Sequence, residues 1–566
     1  MRIRIVLTFI LLATGLLGCT EQRATVAVPQ TAQASFSWFE YQGSDPVFAE
    51  PLAPDQYQNP VVAGFFPDPS ITRRGDDYYM AVSSFTYTPG VPILHSRDLV
   101  NWQLIGHALT RESQLDVSGA RGSRGIFAPT LRYHDGVFYM ITTLIDNGGN
   151  FFVTATDPAG PWSDPVWLPE LDGIDPDIFF DDDGRVYIAH NGPPPGEPLY
   201  EGHRAIWLWE FDPKLQKVKA SSGRIIVNGG VDLSKQPIWI EAPHLYKIND
   251  WYYLLCAEGG TADEHSEVVF RTRSLDQAFE PYEGNPILTQ RDLDPSRPDP
   301  ITTAGHADIV QTPDGEWWAI FLATRAYDQR FYNTGREAFL LPVSWQDDWP
   351  TILPAGETVT YRPVRPAGLD NHPVLEPLTG NFTWRDEFNQ PALNFHWSLL
   401  RDFARQWLKI ANDKLQVQPQ AGRLSSLEPV SFIGRRQQHM HYRASTALTL
   451  SASGLSAGIT ALQSEAYHYY LGVRRSSNGT TIFLEQADGE GVDIIASEQL
   501  SVSGDTEIGL AIEGDKDKVR FFYQLDGETW LPLGGSFDGK LLSTQVAGGF
   551  VGTMLGLHSR LEKQDI

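Results

Sequence analysis

The sequence predicts an all-β protein with a five-bladed β-propeller followed by a β-sandwich. The 566 residues include 50 glycines, 39 prolines and 16 tryptophans, which is typical of a chain with many strands and turns. A strand–turn–strand unit occurs five times in the first two thirds of the chain, and a plain alternation of apolar and polar residues replaces it from Phe382 onward. A chain of this length is expected to form more than one domain.

Each repeated unit begins with a short apolar strand, turns at an Asx-Gly or Asx-Asp pair, and continues into a strand that carries aromatic residues. Such turns join β-hairpins, and repeats of about fifty residues indicate a solenoid or a propeller. A series of hairpins in a sandwich is the alternative, but the constant spacing within the unit favours a propeller, which leaves only short sheet edges. The five units span residues 68–79, 128–139, 175–187, 242–253 and 307–318.

The composition changes along the chain and predicts five segments. Residues rich in Ala, Gln, Thr and Pro are typical of a flexible tether, and a Pro- and Gly-rich stretch is typical of a linker. Alternation with a period of two residues, interrupted by turns, predicts the sandwich. The segments are a targeting sequence at 1–18, a tether at 19–54, the propeller at 55–350, a linker at 351–380 and the sandwich at 381–566.

The targeting sequence places two arginines before an apolar run that is short for a membrane span. The run ends in Leu16-Leu17-Gly18-Cys19, which resembles the bacterial lipobox, so Cys19 is the expected lipidation site. An ordinary secretory signal with an incidental cysteine is the alternative. Residue 20 is Thr and not Asp, so the known inner-membrane retention signal is missing. We therefore expect a protein of the bacterial cell envelope that acyl chains alone hold at the outer membrane or a periplasmic face.

Charge and cysteine content exclude some functions. The formal net charge of −26 argues against nucleic acid as a partner, because such binding needs a basic surface. If Cys19 carries lipid, the only other cysteine, Cys256, has no disulfide partner and is expected to be a small buried residue in an apolar strand. The sequence contains no paired-cysteine metal motif and gives no indication of an oligomeric state.

The residues at the starts of the inner strands indicate an acid–base site. In a propeller these strands begin around the central axis, so their first residues face one another across a small funnel. Crowded carboxylates have pKa values that are pushed apart, and acid–base catalysis needs one charged and one protonated carboxyl group at the same pH. Asp177 shares a strand face with Asp175 and is a second candidate for its role. The ring contains Asp68, Ala128, Asp175, Glu241 and His306.

Several motifs occur in the order known from one enzyme family. They are Gly64–Ser70, Ser83–Phe85 with Pro89–Ile93, His95–Trp102, Ala128–Tyr133, Ile174–Pro176, Glu241–Lys247, Gly305–Ala307 and Gly335–Glu337. Through these motifs, residues 58–350 resemble glycoside hydrolase family 43, the β-xylosidase and α-L-arabinofuranosidase family. The C-terminal part is similar to the concanavalin-like β-sandwich of the xylosidase-like branch. The resemblance implies a five-bladed propeller and an inverting exo-glycosidase that removes terminal xylose or arabinofuranose from hemicellulose oligosaccharides.

The resemblance also implies roles for three carboxyl groups. Asp68 matches the general base that deprotonates the attacking water, and Glu241 matches the general acid that protonates the leaving oxygen. Asp175 matches the carboxylate that raises the pKa of the acid and orients it. An inverting site separates base and acid by roughly 6.5–9.5 Å to admit the water.

Four further residues match the substrate pocket of the family. Arg336 matches a donor to sugar hydroxyls, Phe85 an aromatic wall, and His306 the axial histidine. Phe127 stands where the xylosidase branch usually has Trp, so the pocket could be wider there. The resemblance implies no required cofactor, although it allows a calcium ion near His306.

Two alternative functions stay open at this point. One is a surface-anchored, non-catalytic glycan-binding propeller, and the other is an endo-acting arabinan or xylan hydrolase. Related fructan-cleaving propellers carry Asn-Asp-Pro-Asn-Gly and Glu-Cys motifs, whereas this chain has Phe66–Ser70 and Glu241–Pro243, so that family is set aside. The sequence indicates neither the preferred pentose nor any contribution of the sandwich to the pocket.

Overall fold

The computed structural model describes residues 32–502 and 506–562. The expected targeting sequence and Cys19 lie outside these residues. Within them, no helix is long and apolar enough to cross a membrane. Helical structure is confined to short turns, namely the α-helices Pro46–Ala49 and Thr544–Ala547 and the 3₁₀ turns Ala220–Ser222, Leu233–Lys235 and Gly539–Leu542.

Five antiparallel sheets form the propeller that the repeats predicted, and each repeated unit supplies the two inner strands of one sheet. Blade 1 contains Ser70–Arg74, Asp77–Ala81, Gly90–Ser96 and Gln103–Leu109. Blade 2 contains Thr130–His134, Val137–Leu144, Gly149–Ala155 and Val166–Trp167. Blade 3 contains Ile174–Phe180, Val186–Gly192, Ala205–Asp212, Lys217–Val218 and Arg224–Asn228.

The last two blades follow the same plan. Blade 4 contains Glu241–Ile248, Trp251–Glu258, Ser266–Thr272, Glu280–Pro281 and Leu288–Thr289. Blade 5 contains Ile301–Gln311, Trp317–Arg325, Glu337–Gln346 and Trp349–Thr351. Apolar side chains fill the space between neighbouring blades. Ile71 and Met80 of blade 1 pack in one buried cluster with Trp318 and Ile320 of blade 5, so burial of apolar surface closes the ring.

A polar network on the propeller axis joins all five inner strands, and Arg132 of blade 2 lies at its centre. Arg132 Nη1 donates to Asp308 Oδ2 of blade 5 at 2.7 Å, and Arg132 Nη2 lies 3.1 Å from Asp177 Oδ1 of blade 3. Ser70 of blade 1 also donates to Asp308, at 2.6 Å, and His244 of blade 4 accepts from Arg132 at 3.0 Å. Both carboxylates have fully buried side chains, so the guanidinium group supplies the charge compensation that their burial requires.

Two eight-stranded sheets form the sandwich and enclose one large apolar core. In order of pairing, the first sheet contains Leu408–Ile410, Leu415–Val417, Ala34–Gly43, His441–Leu450, Ile508–Asp515, Lys518–Leu525 and Leu531–Asp538, with Phe382–Asp386 also paired to Ala34–Gly43. The second contains Val492–Leu500, Gly479–Asp488, Tyr467–Ser476, Leu455–Ser464, Met554–Leu561, Ser431–Arg436, Ser398–Leu400 and Tyr87–Thr88. The Tyr87–Thr88 strand belongs to the propeller segment and links the two domains.

The prediction of a flexible tether at residues 19–54 is wrong from Ala34 onward. Ala34–Gly43 is an inner strand of the first sandwich sheet and pairs with His441–Leu450 on one side. Phe36, Phe39 and Tyr41 are fully buried in the sandwich core. A register shift between Phe36 and Trp38 interrupts the two-residue alternation, which hides the strand in the sequence.

The segments on either side of the propeller are also packed against it. Asp45 follows the N-terminal strand and forms a buried ion pair with Arg325 of blade 5, at 2.6 Å. In the expected linker 351–380, the backbone carbonyls of Tyr361 and Pro363 accept hydrogen bonds from the backbone of Asn59 and Tyr57. The propeller and sandwich are therefore joined by contacts at several points of the chain.

Replacing Arg132 by Met should strongly destabilise the propeller. The change keeps most of the side-chain volume but leaves Asp177 and Asp308 buried without a positively charged partner, which costs about 3–5 kcal/mol. Thermal unfolding followed by circular dichroism measures the effect.

Arg185→Met is the matched control, because Arg185 pairs with the exposed Asp183 on the surface. Surface pairs contribute about 1 kcal/mol or less. Equal melting temperatures for the two variants would contradict the structural role of the axial network.

Candidate active site

In four of the five blades the backbone is kinked at, or one residue before, the position that the repeats align. Asp68, Asp175, Ala242 and His306 have φ angles of 54°, 55°, 50° and 55°, a left-handed conformation that is uncommon for residues other than glycine. In blades 3, 4 and 5 the strand pairing also shifts register at these positions. Irregularities of this kind re-aim side chains and are frequent next to active sites.

A cavity of about 630 Å³ lies at this end of the propeller axis. The kinks bring three carboxyl groups from different blades together there, and all seven pocket residues expected from the sequence line the cavity. Those residues are Asp68, Phe85, Phe127, Asp175, Glu241, His306 and Arg336.

The sandwich contributes Phe550 to the cavity wall, which sequence reasoning left open. The Phe550 ring stacks on Phe85 with centroids 6.0 Å apart and lies edge-on to Phe127, also at 6.0 Å. The Arg336 guanidinium carbon lies 5.6 Å from the centre of the same ring. Three phenylalanines from two domains therefore form one aromatic wall, which we call the Phe85–Phe127–Phe550 wall.

Close backbone approach positions Phe550. A Cβ atom on Gly335 would lie 2.9 Å from Gly552, so both domains need glycine where they touch. The backbone N–H of Phe550 donates to Ser123 Oγ of the propeller at 2.9 Å. The sequence signal for this contact is the glycines that flank Phe550, because glycine permits two backbones to approach closely.

Asp68 is held in its charged form. Its Oδ1 accepts a hydrogen bond from Arg336 Nη1 at 2.7 Å, its Oδ2 accepts one from the Ser83 hydroxyl, and His306 Nδ1 lies 3.7 Å away. Burial alone would raise the pKa of Asp68, but these neighbours, Arg336 first, lower it below its ordinary value. Ser83 is a contact that the sequence did not single out.

The pKa values of Asp175 and Glu241 are both raised. Burial and the charge of Asp68 raise the pKa of Asp175 to about 7. Burial, then the charges of Asp175 and Asp68, raise the pKa of Glu241 well above its ordinary value. Asp175 Oδ2 accepts a hydrogen bond from the backbone N–H of Ala242 at 3.1 Å, which fixes blade 3 against the residue that follows Glu241. The cavity thus combines a charged carboxylate with a carboxylic acid near neutral pH.

Asp177, the second candidate for the role of Asp175, belongs to the axial network instead. Its Oδ2 accepts a hydrogen bond from the backbone of Leu245 at 2.8 Å, and its Oδ1 faces Arg132. It does not line the cavity. Asp177 therefore holds strands together.

The surroundings of His306 do not fit a calcium ion. Calcium prefers six to eight oxygen ligands, whereas His306 lies beside the imidazole of His244, with ring centres 6.5 Å apart, and beside an Asp68 already bound by Arg336. Burial lowers the pKa of His306 to about 3, so its ring is neutral. Across residues 32–502 and 506–562, no group of three or more His, Cys, Asp or Glu side chains could hold a metal ion.

Two carboxyl groups of opposite protonation preference in one cavity are the arrangement that most enzymes hydrolysing glycosidic bonds use. Comparison with known families agrees with this class. Residues 57–350 match the model of glycosyl hydrolases family 43, and residues 385–564 match that of the beta xylosidase C-terminal concanavalin A-like domain. The chain belongs to glycosyl hydrolases family 43 and is a glycoside hydrolase.

Several relatives match along most of their length. A xylosidase/arabinosidase of Butyrivibrio fibrisolvens is 37% identical over 88% of this chain and 95% of its own. A non-reducing end alpha-L-arabinofuranosidase of Bacteroides ovatus is 34% identical over 90% of this chain and 92% of its own. The crystal structure of a family 43 enzyme retrieved from capybara gut metagenome superposes with a TM-score of 0.86 at 38% identity, covering 93% of this chain and 99% of that one.

Replacing Asp175 by Asn should lower the pKa of Glu241. The change removes a negative charge that favours the protonated form of Glu241, so this carboxyl group should lose its proton at a pH lower by about one unit or more. Infrared difference spectra recorded across a pH titration follow the protonated carboxyl stretch, and the same spectra of Asp175→Asn/Glu241→Gln identify the Glu241 signal.

Asp172→Asn is the matched control, because Asp172 lines the same cavity but is not among the main charges that act on Glu241. An unchanged titration of Glu241 in Asp175→Asn, or an equal shift in Asp172→Asn, would contradict the coupling.

Proposed function

We propose that the protein removes terminal xylose or L-arabinofuranose units from hemicellulose oligosaccharides, with inversion at the anomeric carbon. The observation that carries the proposal is the opposite protonation preference of Asp68 and Glu241 in one cavity. The names of the matched relatives support pentose substrates, since they include a xylosidase/arabinosidase and an arabinofuranosidase.

In this proposal Asp68 and Glu241 each transfer one proton during a single displacement at the anomeric carbon. The Asp68 carboxylate takes a proton from a water molecule as its oxygen bonds to the anomeric carbon. Glu241 gives its proton to the glycosidic oxygen as the bond from that oxygen to the anomeric carbon breaks. The free sugar and the shortened chain leave, and proton exchange with solvent restores both groups. No cofactor takes part.

The neighbouring groups keep Glu241 and Asp68 in the protonation states that these roles require. When Asp175 is ionised, its negative charge raises the pKa of Glu241, so the acid keeps its proton until the leaving oxygen needs it. Arg336 and Ser83 fix both oxygens of Asp68 and keep it ionised, which suits a base.

Removal of a single terminal sugar is supported by the Phe85–Phe127–Phe550 wall. A chain-cleaving enzyme needs a cleft that a polysaccharide can cross, whereas this wall closes one side of the cavity next to Arg336 and Asp68. A buried, partly apolar pocket suits one pentose ring, whose C–H faces are apolar. This favours the exo-acting proposal over the endo-acting alternative.

Loss of the acid should depend on the leaving group. Glu241→Ala should lower kcat about 10²–10⁴-fold on aryl xylosides and arabinofuranosides with poor leaving groups, and far less with dinitrophenol, which departs without a proton. Chromophore release measures both.

Glu267→Gln is the control, because Glu267 is also buried but binds the backbone of Ala307 and does not line the cavity. A wild type inactive on both sugars would contradict the proposed function. An equal loss with both leaving groups would contradict the role of Glu241.

We also propose that Cys19 is lipidated and that the protein is held at the bacterial cell envelope. The support is the Leu16-Leu17-Gly18-Cys19 pattern after an apolar run. Acyl chains would fix the protein near a membrane without any spanning segment.

Cys19→Ala should move the protein from the membrane fraction to the soluble fraction and abolish labelling by radioactive fatty acid. Cys256→Ala is the control, since Cys256 is buried in blade 4. Membrane association that survives Cys19→Ala would contradict the lipid anchor.

A further inference from the structure

A pair of exposed apolar residues lies next to Glu241 and has no part in the proposed proton transfers. Ile238 and Trp239 each expose 40% of their surface, although bulky apolar residues of this size are mostly buried. Trp239 lines the same cavity as Glu241. A large indole ring is thus open to solvent beside the carboxyl group that we assign as the acid.

The backbone around Trp239 is held in an unfavourable conformation. Trp239 has a φ angle of 53°, which is a genuine outlier for a bulky side chain. Its N–H donates to the carbonyl of Gly202 at 2.8 Å, and the N–H of Gly259 donates to the carbonyl of Ile238 at 2.9 Å. Strained residues persist where their surroundings fix them, and they cluster at ligand sites.

Two further side chains support the ring from the protein side. The Arg204 guanidinium carbon lies 5.5 Å from the centre of the Trp239 ring. Arg204 donates two hydrogen bonds, at 3.0 and 2.9 Å, to Asn191 Oδ1, and Asn191 Nδ2 donates to the carbonyl of Ile240 at 2.6 Å. Asn191 therefore ties the ring and its supporting arginine to the residue that precedes Glu241.

We propose that Trp239, supported by Arg204, binds the sugar of the leaving group. The inference rests on the proposed function, because a proton donor must face the oxygen that joins the departing chain to the terminal sugar. The leaving group then lies on the Glu241 side of the cavity, where the exposed ring is. Pyranose rings present a flat C–H face that packs on aromatic rings, and a guanidinium group donates to hydroxyls.

This assignment predicts the class of preferred substrate. The leaving sugar should be a pyranose such as the second xylose of a xylo-oligosaccharide, since its equatorial substituents leave the C–H face open for stacking. Trp239 is thus a specificity-determining residue that acts through the leaving group and not through the terminal sugar.

The test compares xylobiose with β-xylosyl fluoride, whose leaving group is a single atom that cannot touch Trp239. For Trp239→Ala, the ratio of kcat/KM on xylobiose to kcat/KM on the fluoride should fall about tenfold relative to wild type. Trp239→Phe should restore most of the ratio, because an aromatic ring remains.

Two further variants separate the effect of losing the Trp239 ring from an effect on folding. Trp239→Gly removes the ring but suits the left-handed backbone, so it should fold at least as well as Trp239→Ala and show the same fall in ratio. Trp530→Ala is the matched control, because Trp530 is a half-buried tryptophan of the sandwich that lies over Arg443, 4.6 Å from ring centre to guanidinium carbon, and should keep the wild-type ratio.

Different outcomes would overturn the role of Trp239 and the proposed function. An unchanged ratio in Trp239→Ala and Trp239→Gly, whether both activities stay high or both fall equally, would overturn the role of Trp239 in leaving-group binding. A wild type that hydrolyses neither xylobiose and β-xylosyl fluoride nor aryl arabinofuranosides would overturn the proposed function itself.

Discussion

Compensation of negative charge along the propeller axis is the constraint on which the rest of the structure depends. Five carboxyl groups crowd this axis, namely those of Asp68, Asp175, Asp177, Glu241 and Asp308, and every one of them is buried. Two guanidinium groups form ion pairs with three of them. Arg132 binds Asp177 and Asp308, and Arg336 binds Asp68. Burial of an unpaired charge is costly, so the pKa values of the remaining two carboxyl groups are raised.

The division of charges also separates the structural end of the axis from the chemical end. The carboxylates bound by Arg132 hold inner strands from all five blades in register and do not line the cavity. Asp68 is bound by Arg336 at the open end, where solvent and substrate have access. The same repeated hairpin therefore supplies both the residues that hold the blades together and the residues of the cavity. Which of the two a blade supplies depends on the side chains at or near the first position of its hairpin.

Much of the propeller could be predicted because its repeats are regular. The constant spacing identified the blades, and the aligned first positions identified Asp68, Asp175 and Glu241 without any contact information. Asp177 could not be separated from Asp175 in the same way, because strand periodicity places both on one face. Only the left-handed kink at Asp175 and the ion pair of Asp177 with Arg132 distinguish them.

The relation between the two domains was beyond the reach of the sequence. Ala34–Gly43 pairs with strands about 340 to 415 residues further along the chain, and a register shift interrupts its alternation. Phe550 reaches a pocket built almost entirely by the other domain, through an approach between Gly335 and Gly552; the glycines indicate a close approach but do not indicate which residues meet. Contacts of this kind depend on tertiary packing, whereas hairpins depend on neighbouring residues.

The central claim is that a charged Asp68 and a protonated Glu241 act together on a single water and a single glycosidic oxygen. Proton NMR at early times of aryl β-xyloside hydrolysis tests it most directly, because direct displacement inverts the anomeric carbon. With direct displacement, α-xylose should appear first and the β-anomer should follow only by mutarotation. Initial release of β-xylose would contradict it, since retention requires a covalent intermediate on one of the carboxyl groups.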